Sequence, residues 1–162
     1  EGYTNIMNID ISNVVIKAMQ EKYKDKGPNF QYRKMDARNM EDFEQNSFDC
    51  VVDKGTLDSI LCGEGSVTNA HKTLSEVYRV LSNKGVYICI SYGVPQHRLS
   101  YFNKTDFNWQ VENPITVYKP TISTSISLSN EDKDSPNFHY IYICKKNGGG
   151  GGYNPDQDNK EM

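Results

Sequence analysis

A twenty-residue stretch, SFDCVVDKGTLDSILCGEGS at positions 47–66, constrains the fold of this chain most strongly. A short apolar run there leads directly into a predicted loop of polar residues that include Asp53, Lys54 and Asp58. Ligands of open α/β sheets bind beyond the carboxyl ends of parallel strands, and this order of residues is typical of such a strand end. A second apolar run, residues 5–9, also ends on a carboxylate, Asp10. Two acidic strand ends predict one bound nucleoside-like ligand, although each Asp taken alone fits equally well as a helix cap.

Length and composition exclude several classes of protein. The 162 residues fit one domain, and no run approaches the roughly eighteen apolar residues of a membrane span. The first residues do not have the basic start and apolar centre of a signal peptide, so we expect a soluble, cytoplasmic protein. A net charge of -3 with scattered Lys and Arg argues against a nucleic-acid binder and is compatible with a basic protein partner. The four cysteines have no CxxC spacing, which predicts neither disulfides nor a zinc site.

Hydrophobic periodicity predicts alternating strands and helices that end in a group of strands. Ser12 or Asn13 is expected to cap the first helix, and residues 83–85 are expected to end the second. The predicted strands are residues 6–9, 30–35, 48–52 and 86–92, and residues 107–118 and 138–145 are two predicted β-rich segments. The first predicted helix follows Ser12 or Asn13 and ends at Gly27 and Pro28, and the others are residues 67–81 and 94–102. The pattern predicts an α/β, Rossmann-like doubly wound, mostly parallel sheet with an antiparallel C-terminal edge hairpin. Residues 1–147 form the predicted domain, and the glycine-rich residues 148–162 are expected to be a flexible tail.

The predicted fold lacks one expected part. Doubly wound nucleotide folds begin with a strand, a glycine-rich turn and a helix, but residues 1–5 already lead into what looks like the second strand. Gly63, Gly65 and Ser66 form a GxGS sequence, but it follows the wrong strand and precedes SVTNAH, which does not look ordered. We therefore interpret this GxGS as a plain loop.

The candidate residues suit adenosine recognition. The carboxylate of Asp10 can accept hydrogen bonds from both hydroxyls of a ribose, and Ile11 can cover an adenine face. Asp36 can accept from an adenine amine while the amide of Ala37 donates to a ring nitrogen, although Asp36 also fits as a cap of the following turn. No phosphate loop, metal cluster or GxSxG serine is present in the sequence. Displacement at an activated carbon, such as methyl transfer from a sulfonium, fits these absences.

Four segments of the chain carry a family resemblance. They are NIDISNVVIKAMQ, MDARNM, NSFDCVVDKGTLDSILCG and LSEVYRVLSNKGVYICISYGVPQHR, and together they cover most of residues 5–98. In this order they resemble class I methyltransferases that use S-adenosylmethionine. The similarity is greatest to the methyltransferase-like proteins that modify lysines of eukaryotic elongation factor one-alpha.

The resemblance implies a cofactor, S-adenosylmethionine, which leaves as S-adenosylhomocysteine. It implies that Asp10 binds the ribose, that Asp36 and Ala37 contact the adenine, and that Lys54, with Asp53 beside it, borders the methionyl part. The family's first strand and glycine-rich loop have no counterpart ahead of Glu1, so we expect this chain to be a fragment of a longer protein, with a degenerate relative of the family as the alternative.

The resemblance further implies a protein substrate that carries a lysine. Residues after the predicted fifth strand are candidates for the wall around that lysine, although aromatic residues there more often pack a sheet edge; they are Tyr92, Pro95, His97, Tyr101 and Trp109. Three other functions stay open. The acceptor can be a small molecule, the chain can be a non-catalytic binding module, or, as the weakest alternative, it can be a nicotinamide oxidoreductase.

Overall fold

The computed structural model describes residues 2–118 and 138–148. Helices lie between the first and second strands, between the third and fourth, and between the fourth and fifth, whereas the second strand leads to the third without a helix. The strands are β1 Ile6–Asp10, β2 Phe30–Lys34, β3 Phe48–Lys54, β4 Leu81–Ser91, β5 Trp109–Val111, β6 Ile115–Tyr118 and β7 Phe138–Lys146. The helices are α1 Asn13–Lys22, α2 Thr56–Leu61, α3 Ser66–Val80 and α4 Pro95–Phe102, with a 3₁₀ turn at Lys24–Lys26.

The strands form two separate sheets. Strand β1 pairs with β2 in parallel, and β3 pairs with β4 in parallel. Strand β7 runs antiparallel between β4 and the two short strands β5 and β6. This arrangement confirms the predicted α/β class, with parallel pairing first and antiparallel strands at the C-terminal side.

The core lies around β4 in the larger sheet. Helix α3 covers β4 and buries Leu74, Val77 and Val80, and each fully buried side chain of this size contributes about 1.5–3 kcal/mol. The rings of Phe102 in α4 and Trp109 in β5 pack against Tyr87 of β4, and Tyr142 of β7 packs against Phe102. The core therefore joins segments that are distant in the sequence.

Helix α1 begins where the sequence predicted. The hydroxyl oxygen of Ser12 accepts a hydrogen bond from the amide of Val15 at 3.3 Å, which is an N-cap. The apolar stripe of this helix is only partly covered, however, since Ile16 is buried while Val14 remains 78% exposed. The reason is that the sheet beneath α1 has two strands in the described part of the chain.

Several predicted boundaries were wrong. Residues 66–71, SVTNAH, are not irregular but form the first turns of α3, and α2 was missed because we interpreted KGTLD as a loop. The first helix, predicted to end at Gly27 and Pro28, ends at Lys22 and is followed by the 3₁₀ turn. The predicted β-rich segment 107–118 contains the two short strands β5 and β6. Residues 83–85 do not cap α3, which passes directly into β4. Gly85 instead allows its own backbone to lie close to that of Ser82, since a Cβ at Gly85 would lie 2.9 Å from the carbonyl oxygen of Ser82.

The predicted flexible tail lies outside the described residues except for Gly148. Across the described ranges, none of the helices combines the length and the apolar composition that crossing a membrane requires.

The buried ammonium group of Lys146 ties β7 to the end of α3. Its Nζ donates to the carbonyl oxygens of Tyr78 at 2.8 Å and Leu81 at 2.6 Å, and to Oδ1 of Asn46 at 3.0 Å. A cation at a helix C-terminus is favourable because it satisfies carbonyls that have no helical partner. Burial lowers the pKa of Lys146, but the three acceptors compensate the ammonium for its lost water.

We expect Lys146→Met to lower the free energy of unfolding by about 2–3 kcal/mol, because buried carbonyl oxygens then lose their donor. Urea denaturation measures this change. The matched control is Lys145→Met on the same strand, where a half-exposed ion pair with Glu112 is lost and where we expect less than about 1 kcal/mol. Equal losses in the two variants would contradict this role for Lys146.

Candidate functional site

A cavity of about 540 Å³ separates the two sheets. This volume is in the range of small-molecule sites. Residues of β1 line one side and residues of β3 the other, and within the described residues β1 pairs only with β2 and β3 only with β4. Polar lining comes chiefly from strand ends and α2, namely Asp10, Asp36, Arg38, Asp53, Thr56 and Ser59. Apolar lining comes from the strands and α3 and includes Met7, Ile9, Met35, Val51, Val52, Val77 and Val80.

Asp10, the last residue of β1, lies on this cavity with one oxygen held in place. Its Oδ1 accepts a hydrogen bond from the amide of Ser12 at 2.7 Å. That bond fixes the carboxylate, while Oδ2 makes no hydrogen bond to any described residue. Asp10 is therefore a preorganised acceptor at the end of a strand, which is what binding a vicinal diol requires.

Asp36 and Ala37 follow β2 and line the same cavity. Arg38 holds the Asp36 carboxylate in a fork, with Nε 3.0 Å from Oδ1 and Nη2 2.7 Å from Oδ2. Hydrogen bonds from the Arg38 side chain lower the pKa of Asp36, which keeps it ionised. Arg38 was not among the predicted site residues, although its position two residues after a predicted site acid was a usable signal.

Asp53 is buried near the end of β3, and its carboxylate caps the first turn of α2. Its Oδ1 accepts from the amide of Thr56 at 2.8 Å, and its Oδ2 accepts from the amide of Leu57 at 3.1 Å and the hydroxyl of Tyr87 at 3.1 Å. Burial raises the pKa of Asp53, and these hydrogen bonds oppose the rise. Asp53 lines the cavity, but its oxygens are already occupied, so the geometry favours the capping role.

Ile11 and Lys54 differ in their relation to the cavity. Ile11 lines it with a side chain that is 62% exposed, which leaves an apolar surface available to a ligand. Lys54 is exposed and is not a lining residue. The structure thus brings five of the six predicted cofactor residues to one cavity and leaves Lys54 beside it.

The predicted acceptor residues do not line this cavity. Trp109 is a correction, because it is buried in the core, donates from Nε1 to the carbonyl oxygen of Phe102 at 2.8 Å, and stacks on Tyr87. Tyr101 is partly buried and packs against the same core. Tyr92 and His97 are exposed, and Pro95 begins α4. In the described ranges no group of His, Cys, Asp or Glu forms a metal site.

The family described as "Methyltransferase domain" matches residues 1–89 of this chain. The chain is 47% identical over 92 residues to the eEF1A lysine and N-terminal methyltransferase of Mus musculus, a match that covers 56% of this chain and 13% of that protein. It is 33% identical over 120 residues to EEF1A lysine methyltransferase 4 of Mus musculus, covering 69% of this chain and 46% of that protein. The chain thus spans less than half the length of either relative.

Solved structures share the fold at low sequence identity. A putative methyltransferase from Haloferax volcanii, solved in complex with a methyltransferase activator, superposes with a TM-score of 0.67 at 12% identity and covers 94% of this chain and 75% of that one. A SAM-dependent methyltransferase from Methanosarcina mazei gives 0.62 at 13% identity, with 90% and 83% covered. These likenesses establish the Rossmann-like methyltransferase fold.

The raised pKa of Asp53 predicts how its contribution to stability changes with pH. Because the folded state holds this proton above the ordinary aspartate pKa of 3.8, the Asp53 contribution falls as pH rises from about 4 towards neutrality. Asp53→Asn removes the titration, and we expect its destabilisation relative to wild type to shrink over that interval. Urea unfolding at several pH values measures the difference, with Asp49→Asn on the exposed face of β3 as the control. A difference that grows with pH would contradict the assignment.

Proposed function

The chain belongs to the methyltransferase domain family, and on that premise we propose that it is part of an S-adenosylmethionine-dependent protein-lysine methyltransferase. The carrying observation is the cavity between the sheets, where Asp10 presents one fixed and one available carboxylate oxygen. The residues of this cavity fit the adenosine half of the cofactor.

Asp10 is the proposed ribose ligand. Its Oδ2 can accept a hydrogen bond from one ribose hydroxyl. Its Oδ1, which already accepts from the Ser12 amide, can accept a second bond from the other hydroxyl. The exposed side chain of Ile11 supplies apolar area for the adenine face. Asp36 and Ala37 are the proposed adenine contacts. Both oxygens of Asp36 already accept hydrogen bonds from Arg38, so an adenine amine would share an oxygen with Arg38 or replace one of its donors. The Ala37 amide makes no hydrogen bond to a described residue, which leaves it available as a donor.

The contacts proposed above bind only the adenosine half of the cofactor, so its methionine half requires other groups. When bound, the cofactor supplies an electrophilic methyl group on a sulfonium. Lys54 and Thr56, at the junction of β3 and α2, are the chain's proposed contacts to the methionyl part. We further propose that a strand and a glycine-rich loop from outside this sequence complete the site. The unpaired edges of β1 and β3 support this, since a two-stranded sheet such as β1 with β2 is marginally stable alone.

The names of the relatives support a lysine of elongation factor one-alpha as the methyl acceptor. Such a substrate would place the protein in the cytoplasm. The exposed Tyr92 and His97 and the partly buried Tyr101 remain the proposed acceptor contacts, whereas the buried Trp109 is no longer one of them. Nucleophilic attack requires the neutral amine, so the site must help the lysine lose its proton.

We expect S-adenosylhomocysteine to bind a chain extended ahead of Glu1 by a strand and a glycine-rich loop more tightly than this chain alone. In the extended protein, Asp10→Asn should weaken binding about 10- to 100-fold, because it keeps the acceptor for Ser12 but loses a charged acceptor for the ribose. Titration calorimetry measures both effects, with exposed Asp25→Asn as control. Binding to neither protein would overturn the cofactor proposal and favour a non-catalytic module.

We expect the extended protein to transfer a labelled methyl group to a lysine of elongation factor one-alpha. Below the ordinary lysine pKa of about 10.4, kcat/KM should rise with pH, up to about tenfold per pH unit, because only the neutral amine attacks. Mass spectrometry of the labelled protein identifies the residue, and replacing that lysine by arginine is the control. Cofactor binding without labelled protein would point to a small-molecule acceptor.

A further inference from the structure

A cluster of three polar side chains joins α2 to the segment after β4. Asp58 lies on α2, Ser91 ends β4, and Arg98 lies on α4, forty residues beyond Asp58. The Arg98 Nη2 donates to Asp58 Oδ1 at 2.9 Å, and the Ser91 hydroxyl donates to the same oxygen at 2.5 Å. The Asp58 and Arg98 side chains are only 15% and 16% exposed, so solvent screens this pair weakly.

The same cluster binds the main chain of residues 92–94, the acceptor loop. The amide of Tyr92 donates to Asp58 Oδ2 at 2.9 Å, and the amide of Gly93 donates to the Ser91 hydroxyl oxygen at 2.9 Å. From β7, the Tyr142 hydroxyl donates to the Gly93 carbonyl oxygen at 2.6 Å. The acceptor loop is therefore held from both sides through successive peptide groups.

Gly93 allows the guanidinium to reach this position. A Cβ at Gly93 would lie 2.3 Å from Cζ and from Nε of Arg98. The arginine therefore packs directly over the loop backbone, and its planar fork contacts both Asp58 and Ser91 through Nε.

Helix α2 connects this cluster to the cavity. Thr56, Ser59 and Ile60 of α2 line the cavity, while Asp58 between them holds the acceptor loop. The amide of Gly55 also donates to the Ile90 carbonyl oxygen at 3.0 Å, which fixes the start of α2 against the end of β4. A short, doubly anchored helix thus sets the distance between the cavity and the exposed ring of Tyr92.

We propose that Asp58, Ser91 and Arg98 are positioning residues that hold the acceptor loop, and with it Tyr92, in register with the cofactor cavity. This inference rests on the proposed methyl transfer. None of the three residues contacts the proposed cofactor site directly, since none of them lines the cavity. Their loss should reduce turnover of the protein acceptor and leave cofactor affinity unchanged.

The first test does not depend on activity. Amide hydrogen exchange of Tyr92 and Gly93 is measured by NMR in this chain, in Ser91→Ala and in Arg98→Lys. We expect exchange at both amides to be at least about tenfold faster in Ser91→Ala, because the loop opens locally when its bonds are lost. Arg98→Lys keeps the charge but not the fork, so a smaller increase is expected. Unchanged exchange in both variants would overturn the proposal whatever the chain catalyses.

The second test separates positioning from stability. In the extended protein, Asp58→Asn should lower kcat for the protein acceptor at least about tenfold while the Kd for S-adenosylhomocysteine stays within about twofold. Arg98→Lys should retain more turnover than Arg98→Gln. Lys146→Met serves as a control that is destabilised away from the loop, and its kcat should be unchanged at a temperature where it is folded. If the wild-type extended protein is active and the Ser91→Ala and Asp58→Asn variants have the same kcat as wild type, the positioning role is overturned and the proposed function stays intact.

Discussion

The pairing of β4 along both of its edges is the constraint on which the rest of the structure depends. Its backbone bonds to β3 in parallel on one side and to β7 antiparallel on the other. Side chains of one face, Tyr87, Cys89 and Ser91, are almost completely buried. Because buried peptide groups must be paired, this strand cannot shift without loss of both ladders. Its C-terminal end therefore provides a rigid base for α2 and for the acceptor loop.

The division into two sheets gives the molecule its cavity. Strands β1 and β3 each have a partner on one side only within residues 2–118 and 138–148, and those unpaired edges face the same space. Val52 of β3 is 62% exposed, although the apolar sequence of this strand is typical of a buried one. A free edge of this kind is a site for pairing with another strand. The acids that suit a nucleoside lie at one end of the same space, so the proposed additional strand and the proposed cofactor would lie next to each other.

The two acids of the DKGTLD segment show how one short helix serves two purposes. Asp53 points inward, caps α2 and meets Tyr87 of the core. Asp58 points to the other side and binds Arg98 and the acceptor loop. The environments shift their pKa values in opposite directions. Burial raises the pKa of Asp53, whereas at Asp58 burial is outweighed by hydrogen bonds from Ser91, the Tyr92 amide and Arg98, which lower the pKa.

The sequence by itself determined the fold class, the order of the elements apart from α2, and most of the acids that line the cavity. Hydrophobic periodicity and the Ser12 cap are local features of the sequence. Because parallel strands bring their carboxyl ends to one edge, these local patterns were enough to predict that Asp10, Asp36 and Asp53 lie near one another. Only the tertiary structure decided which polar groups are free and which aromatic rings are exposed. Trp109 is buried because α3, α4 and β7 converge on β5, and Asp53 is occupied because α2 begins beside it. The Asp58 and Arg98 pair depends on a contact between residues forty positions apart, which no local pattern encodes.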